Sequence, residues 1–323
     1  MLERKPSVIF KIIYELSQNK NNNLSISYLC RASKVSKSGY YNWLKSKPNR
    51  DKKEAKDQAD FTLIEEAYNY RGYKKGAKSI QMRLFRDKKI NFNVKKVRRL
   101  MKKYGLFCPI RKTNPYKKIL KNMKTDNYAK NILDRHFVDN GPRRHLLTDI
   151  TYIPFKDHFI YFSTILDACT KEVLAHKYSL SLKIDFVKDT LIMLKDKHGN
   201  ELTNETLIHS DQGSHYTSHV FIDTVEEMNL VRSMSRRGNC WDNAPQESFF
   251  GHMKDEIGCL IKQSNDNYDV YKILDDWIDY YNTDRPKANL ASKTPVEYYQ
   301  YLLNGGEIIR PKKYKRKKKN IKS

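Results

Sequence analysis

Before His136 the chain of 323 residues contains no histidine, and its five cysteines (Cys30, Cys108, Cys169, Cys240, Cys259) never fall in a C-x-x-C spacing. A structural zinc site needs four His or Cys ligands, so a His/Cys module at the front is excluded. The scattered thiols give no disulfide framework either. Long apolar runs are also missing: no stretch of 18 apolar residues occurs, which excludes a membrane-spanning helix. The first 20 residues mix Glu3, Arg4 and Lys5 with an amphipathic stretch and lack the apolar core and cleavage site of a secretory signal, so the expected location is the cytoplasm.

Acidic residues are scarce in a patterned way. Up to Asp134 there are 34 Lys and Arg against 11 Asp and Glu; from Arg135 to Ile309 the balance reverses to 19 against 26; Arg310 to Ser323 holds nine basic residues and no acid. Uniform solubilising charge does not distribute itself like this. A basic front and tail suit a polyanion, and an acidic middle approaches one only when cations neutralise part of it, which points to metal ions there. The length, with 39% hydrophobic residues, is enough for two or three cores.

At the front, Val8, Ile9, Ile12, Ile13 and Leu16 repeat at helical spacing before the turn-like Asn19 to Asn23. Ile26, Leu29 and Cys30 fit one face of a short helix. Ser36 is placed to cap another through Tyr40, Tyr41, Trp43 and Leu44. This outlines a helix-turn-helix that presents Lys37, Ser38, Tyr41 and Asn42 outward, and the expected first region is 1–60. The polar stretch Ser46 to Asp60 reads as a linker or a charged helix.

A second helical unit with a basic arm is expected over 61–134. Ile80, Leu84 and Phe85 mark one helix; Asn93 caps another, with Val94, Val97, Leu100 and Met101 inward and Gly105 at its end. Lys95, Lys96, Arg98, Arg99, Lys102 and Lys103 crowd that helix, and no acid occurs between Ile90 and Thr125, so it is read as a nucleic-acid-binding face. Pro109 to Lys124 reads as an extended basic arm lying on a DNA backbone.

From His145 the texture changes. Leu146–Phe155, Phe159–Leu166 and Val173–Leu180 are β-branched and aromatic runs expected to form an antiparallel meander. Helical periodicity follows at Ile184, Val187, Leu191 and Leu194, then a strand at Thr206–His209, a helix through Phe221, Val225 and Met228, a strand at Leu230–Met234, and a helix from Pro245 with Phe249, Met253 and Ile257 inward. The expected fold of 135–303 is α/β, a mixed sheet with helices on both faces, followed by a basic tail at 304–323.

Asp149 sits amid Leu147, Ile150, Tyr152 and Ile153 on the first strand, where a charge is costly unless paired or holding a metal. Asp211 ends the fourth strand at the Gly213 turn, and Glu247 lies in the first turn of the helix opened by Pro245. Each acid alone has an ordinary reading as ion pair, turn cap or helix-dipole partner. Together they form a pattern: 35 residues separate Asp211 from Glu247, and Lys254 follows by seven. The words around them are Thr148-Asp149-Ile150-Thr151-Tyr152, His209-Ser210-Asp211-Gln212-Gly213-Ser214 and Arg237-Gly238-Asn239-Cys240-Trp241-Asp242-Asn243-Ala244-Pro245-Gln246-Glu247-Ser248-Phe249-Phe250.

With Tyr280-Tyr281-Asn282-Thr283-Asp284-Arg285-Pro286 and Lys293-Thr294-Pro295-Val296-Glu297-Tyr298, these words resemble the bacterial insertion-sequence transposases with a retroviral-integrase-type core, the insertion-sequence three family, over about Ser27 to Tyr299. The resemblance implies a ribonuclease-H-like core in which Asp149, Asp211 and Glu247 are catalytic and bind two Mg²⁺ ions, Mn²⁺ being able to substitute. Hard cations prefer oxygen ligands, and a two-metal site serves an in-line phosphoryl displacement without a nucleophilic side chain. The implied function is metal-dependent cleavage and strand transfer of the element's DNA. The implied partners are the terminal inverted repeats, the target DNA, further copies of this chain assembled on DNA, and a small upstream-frame helix-turn-helix protein with a leucine zipper. No heptad run precedes Ser27, so the chain resembles the downstream product.

Glu247, Gly251 and Lys254 are expected on one helix face opposite the apolar stripe, Gly251 letting a DNA backbone approach and Lys254 holding a phosphate. Lys287 stands where many relatives have His, and His215 where Gln is frequent; neither is assigned a catalytic role. Asp167 is an alternative acid, better read as supporting its strand. Two rival functions are a non-catalytic DNA-binding repressor, against which the intact acids argue, and a metal-dependent nuclease that cuts without joining.

Overall fold

The computed structural model describes residues 5–19, 21–108, 129–134, 137, 140–236 and 240–310. The basic arm expected at 109–124 and the tail beyond Arg310 lie outside them, as do Arg237 to Asn239.

Three helices form the first unit: α1 (Pro6–Gln18), α2 (Ile26–Ala32) and α3 (Lys37–Lys45). Local chemistry sets their starts. Pro6 opens α1, Ser25 accepts the Tyr28 N–H to cap α2, and Ser36 accepts the Gly39 N–H at 2.8 Å to cap α3. Ile13, Leu29, Cys30 and Tyr40 fill the small core.

The polar stretch after Ser46 is a helix, α4 (Lys47–Asn69), and it runs through residue 60, so the two helical units share it. With α5 (Ala77–Lys88) and α6 (Val94–Lys103) it builds the second unit around Ile64, Ile80, Leu84, Val97 and Leu100. Asn93 caps α6 by accepting the Lys95 N–H at 2.8 Å.

The remaining elements are β1 (His145–Phe155), β2 (His158–Asp167), β3 (Val173–Ser179), α7 (Asp185–His198), β4 (Leu207–Ser210), α8 (His219–Glu227), β5 (Val231–Met234), α9 (Ala244–Gln263), α10 (Asn267–Thr283) and α11 (Pro295–Leu303). The strands form one sheet in the order β3-β2-β1-β4-β5. The β1-β2-β3 pairs are antiparallel, and β1-β4 and β4-β5 are parallel, which is the expected mixed sheet. Strand alternation divides its residues between two faces. Leu147, Ile153, Phe155, Phe162 and Leu207 pack against Phe249, Met253 and Ile257 of α9 and Leu274 and Trp277 of α10. Leu146, Ile165, Ala175 and Ile208 pack against α7 and α8.

The second helical unit is fastened to this core. Arg83 Nη1 donates to Asp284 Oδ1 at 2.9 Å and Nη2 to the Asp284 carbonyl at 2.7 Å, while the Tyr70 hydroxyl donates to Asp284 Oδ2 at 2.7 Å. Arg86 makes a two-pronged pair with Glu297 at 2.9 and 2.7 Å. Tyr73 enters the α9-α10 core against Tyr280, and Lys74 N donates to the Glu256 carbonyl. Arg83 is only 3% exposed, so its charge needs Asp284.

Candidate active site

The parallel pairing of β1 with β4 aligns His145 with Leu207, Leu146 with Ile208 and Leu147 with His209. Carrying this register two residues further places Asp149 level with Asp211, immediately past the end of β4. Levelled residues on neighbouring strands project to the same face, and strands lie about 4.8 Å apart. Leu147 and Leu207 assign that face to the α9 side of the sheet.

The start of α9 comes over the same place. Asp149 lies opposite Thr164 on β2, and Gln246 donates its Nε2–H to Thr164 Oγ1. Gln246 is fully buried, whereas Glu247, the next residue, is exposed. The loop entering α9 is held by Asp242, itself fully buried: Oδ2 accepts from Arg236 N and Nε at 3.0 Å and from Asn131 Nδ2 at 2.9 Å, and Oδ1 accepts from Arg236 Nη2 at 3.0 Å. Asp242 was not singled out in the sequence. Its place directly before the α9 start was the available signal.

Asp211 adopts a tight turn in which its Oδ1 accepts the Gly213 N–H at 2.9 Å. A Cβ on Gly213 would stand 2.9 Å from that same oxygen, so any larger residue there would push the carboxylate out of this position. Although Asp211 keeps an open outer side, desolvation by its neighbours pushes its carboxyl above the usual range, opposed by the Gly213 N–H and by His215. That open side limits the size of the push. Burial, with the charges of Asp149 and Asp211 added, pushes the Tyr216 phenol well above its ordinary value, so Tyr216 stays neutral beside both acids. Asp149 Oδ1 accepts the Ile150 N–H at 2.8 Å.

The extended register therefore brings Asp149 and Asp211 level, and Glu247 sits in the first turn of α9, which packs on the same face of the sheet. Among the described residues, no group of three or more His, Cys, Asp or Glu side chains closes into a metal-holding cluster. The donor chemistry nonetheless fits a hard cation: the ligands are carboxylates, and Asp211 is penalised by desolvation that a cation would offset. Near Glu247 in the chain, both amide atoms of buried Asn243 and the Gln246 Oε1 have no hydrogen-bond partner among the described residues, a polar demand that a hydrated ion would meet.

Other expected positions are redistributed. Gly251 is buried, so it does not offer the open face for a DNA backbone that was expected of it. Lys254 is half-buried. Asp167 is fully buried and accepts from Arg143 N, Arg143 Nη1, Cys169 N and Thr170 N, which makes it the strand support expected. On α6 the six cations divide. Arg99 pairs with Asp57 through two 2.7 Å bonds, Lys103 pairs with Asp57 at 2.8 Å and with Glu54 at 2.5 Å, and Lys96 meets Asp60 at 2.7 Å. Lys95, Arg98 and Lys102 are exposed and pair with no described residue. The face called single-signed thus has its neutralising acids on α4. In the first unit, Lys37, Ser38, Tyr41 and Asn42 are all exposed.

Comparison with known proteins agrees with this layout. Two models described as integrase core domain match residues 139–240 and 230–295, and one described as HTH-like domain matches 55–114. The transposase InsK for insertion sequence element IS150 of Escherichia coli (strain K12) is 30% identical over 289 residues, covering 89% of this chain and 96% of that protein. The transposase for insertion sequence element IS904 of Lactococcus lactis subsp. lactis (strain IL1403) is 29% identical over 213 residues, covering 65% and 81%. Among solved structures, the catalytic core domain of BIV integrase matches at 15% identity and a TM-score of 0.40, over 50% of this chain and 97% of that one.

Proposed function

Because the chain belongs to the insertion-sequence transposases that carry an integrase core, and so to the polynucleotidyl transferases that move such elements, we propose that Asp149, Asp211 and Glu247 are its catalytic residues. The observation that supports the reading is the β1-β4 register, which, carried two residues further, levels Asp149 with Asp211 on the face of the sheet where α9 packs with Glu247 in its first turn. These three carboxylates would hold two Mg²⁺ ions, or Mn²⁺ in their place. Bound metal supplies charge neutralisation and an activated oxygen for in-line displacement at phosphorus. The chain's own part is positional: Gly213 fixes the Asp211 turn, Asp242 and Arg236 fix the approach to α9, and Gln246 ties that helix to β2.

The substrates are the terminal inverted repeats of an insertion sequence and a target DNA. Exposed Lys37, Ser38, Tyr41 and Asn42 on α3, with Lys95, Arg98 and Lys102 on α6, supply the contacts that hold it. The active form is a homo-oligomer on DNA that works with an upstream-frame helix-turn-helix partner. The working division is a first helical unit, a second one sharing α4 with it, and a core from 135 to 303.

Labelled donor ends mixed with target duplex in Mg²⁺ test the assignment. Asp149→Asn, Asp211→Asn and Glu247→Gln should each abolish joining, by about a hundredfold or more if each carboxylate stabilises the transition state as one fixed electrostatic group does. DNA binding should remain. Near-normal joining by any one variant removes that residue from the site, and cut ends that never become attached to target would make the protein a nuclease.

A further inference from the structure

On the opposite side of the sheet from α9, the far end of β1 carries an aromatic group that core packing does not use up. Tyr152 and Phe159 are each 50% exposed, and Tyr161 lies partly buried beneath them. Tyr152 pairs with Tyr161 across β1 and β2, their rings perpendicular at 5.2 Å, and the Phe159 ring lies 6.3 Å from Tyr152. Cross-strand aromatic packing steadies a hairpin, but it does not require half of two large rings to face solvent.

The position of this group is specific. Tyr152 follows Asp149 by three residues on β1, about 10 Å along the strand and past the last residue that pairs with β4, so the acids on the α9 face and the rings on the other face flank one edge that β4 leaves unpaired. Tyr161 in turn pairs with Ser179 at the end of β3. The chain beyond Ser179 exposes Leu180, Leu182 and Lys183, and it is tied back to the Asp211 turn by His215, which donates its Nε2–H to the Leu182 carbonyl at 2.8 Å. Lys183 pairs with no described residue. Exposed aromatic rings, an unpaired lysine on the segment that leaves β3 and an acid pair earlier on the same strand are parts from which single-strand sites are built, rings taking the bases and cations the backbone.

We propose that Tyr152, with Phe159 and Tyr161 behind it, forms a stacking platform for an unpaired nucleobase of the DNA strand whose phosphate lies at Asp149 and Asp211. This rests on the reading of those two acids as the reaction site. The platform takes any of the four bases, because stacking uses the π-face and not the hydrogen-bonding edge. Stacking on the platform offsets part of the cost of leaving the end of the strand unpaired.

The test uses the full chain and a short single-stranded oligodeoxynucleotide of thymidines with one 2-aminopurine, whose fluorescence is quenched when it stacks. In Mg²⁺ the unaltered protein should quench the probe. Tyr152→Leu and Phe159→Ala should lose most of the quenching and bind the probe about tenfold more weakly, within the range that single base-ring stacks contribute. Tyr152→Trp should keep it. Quenching that survives both Tyr152→Leu and Phe159→Ala overturns the platform, as does the absence of quenching in the unaltered protein. Should Tyr152→Leu fail to fold, Phe159→Ala and Tyr152→Trp still decide. Normal joining by Asp211→Asn would instead strike at the acid assignment, so the two failures are read separately.

Discussion

His209 stands two residues before Asp211 with its ring fully buried between two hydroxyls, Ser233 Oγ at 2.9 Å from Nδ1 and Ser235 Oγ at 3.0 Å from Nε2. Desolvation lowers its pKa from 6.5 to about 4. The folded ring thus stays neutral where the unfolded ring takes a proton. Below pH 6.5 the unfolded chain binds more protons, so stability is fully present above that pH, falls as pH drops, and stops falling near pH 4. The integrated loss approaches about 3 kcal/mol, since each pKa unit is worth ~1.4 kcal/mol. Urea midpoints measured from pH 7 to pH 4 should show the decline, and His209→Gln should flatten that component. An equal decline in His209→Gln would assign the acid sensitivity elsewhere. The word His209-Ser210-Asp211 was legible in the sequence as a motif. The role of its histidine was not, because the two serines that bond its ring come from the neighbouring strand and its exit.

At the scale of elements, α6 shows what a linear charge count misses. Along the chain its basic residues have no acidic neighbour, yet α4 lays Glu54, Asp57 and Asp60 against half of them. Arg99 and Lys103 hold the Asp57 carboxyl well below the usual range, which ties both cations to α4. Lys95, Arg98 and Lys102 repeat at i, i+3 and i+7 on the other side, the spacing of one helical face. Alanine at any of these three should reduce the slope of log binding constant against log salt by about 0.9 on duplex DNA. Alanine at Arg99 or Lys103 should leave that slope alone and lower the melting temperature. Equal slope changes in both sets would mean that the α4 pairs open on DNA. Strands and apolar helix faces were readable because their periodicity is local. The α10 and α11 helices were not assigned, although Val270, Leu274 and Trp277 repeat at helical spacing. The helix over the polar stretch after Ser46 was undecided, since its weak amphipathicity is resolved only by the partner it packs on.

For the whole molecule, the arrangement of domains depends on a few side chains that sequence words contain without explaining. Asp284 and Glu297 belong to two of those words, and in the structure they receive Arg83 and Arg86 from α5. The core acids could be paired by motif alone, but this fastening pairs residues 201 and 211 positions apart, beyond any local pattern. No helix among the described residues is long and apolar enough to cross a membrane.

That fastening makes the molecule a ruler. With α5 locked to the core by a buried arginine, the α6 stripe keeps its place relative to the acids, so under the proposed function the number of base pairs between the recognised sequence and the cut phosphate is set by protein geometry. Donor duplexes with one to five base pairs inserted in that interval carry the cut site up to about half a turn around the helix axis, a full turn being ~10 base pairs. Joining should fall steeply with each insertion. Arg83→Met, which removes both Arg83 bonds to Asp284 and loosens the joint, should lower joining on the natural spacing and flatten its dependence on insertion length. If the unaltered protein joins every spacing equally well, DNA bending or a separate copy of the chain, and not the Arg83-Asp284 contact, sets where the cut falls.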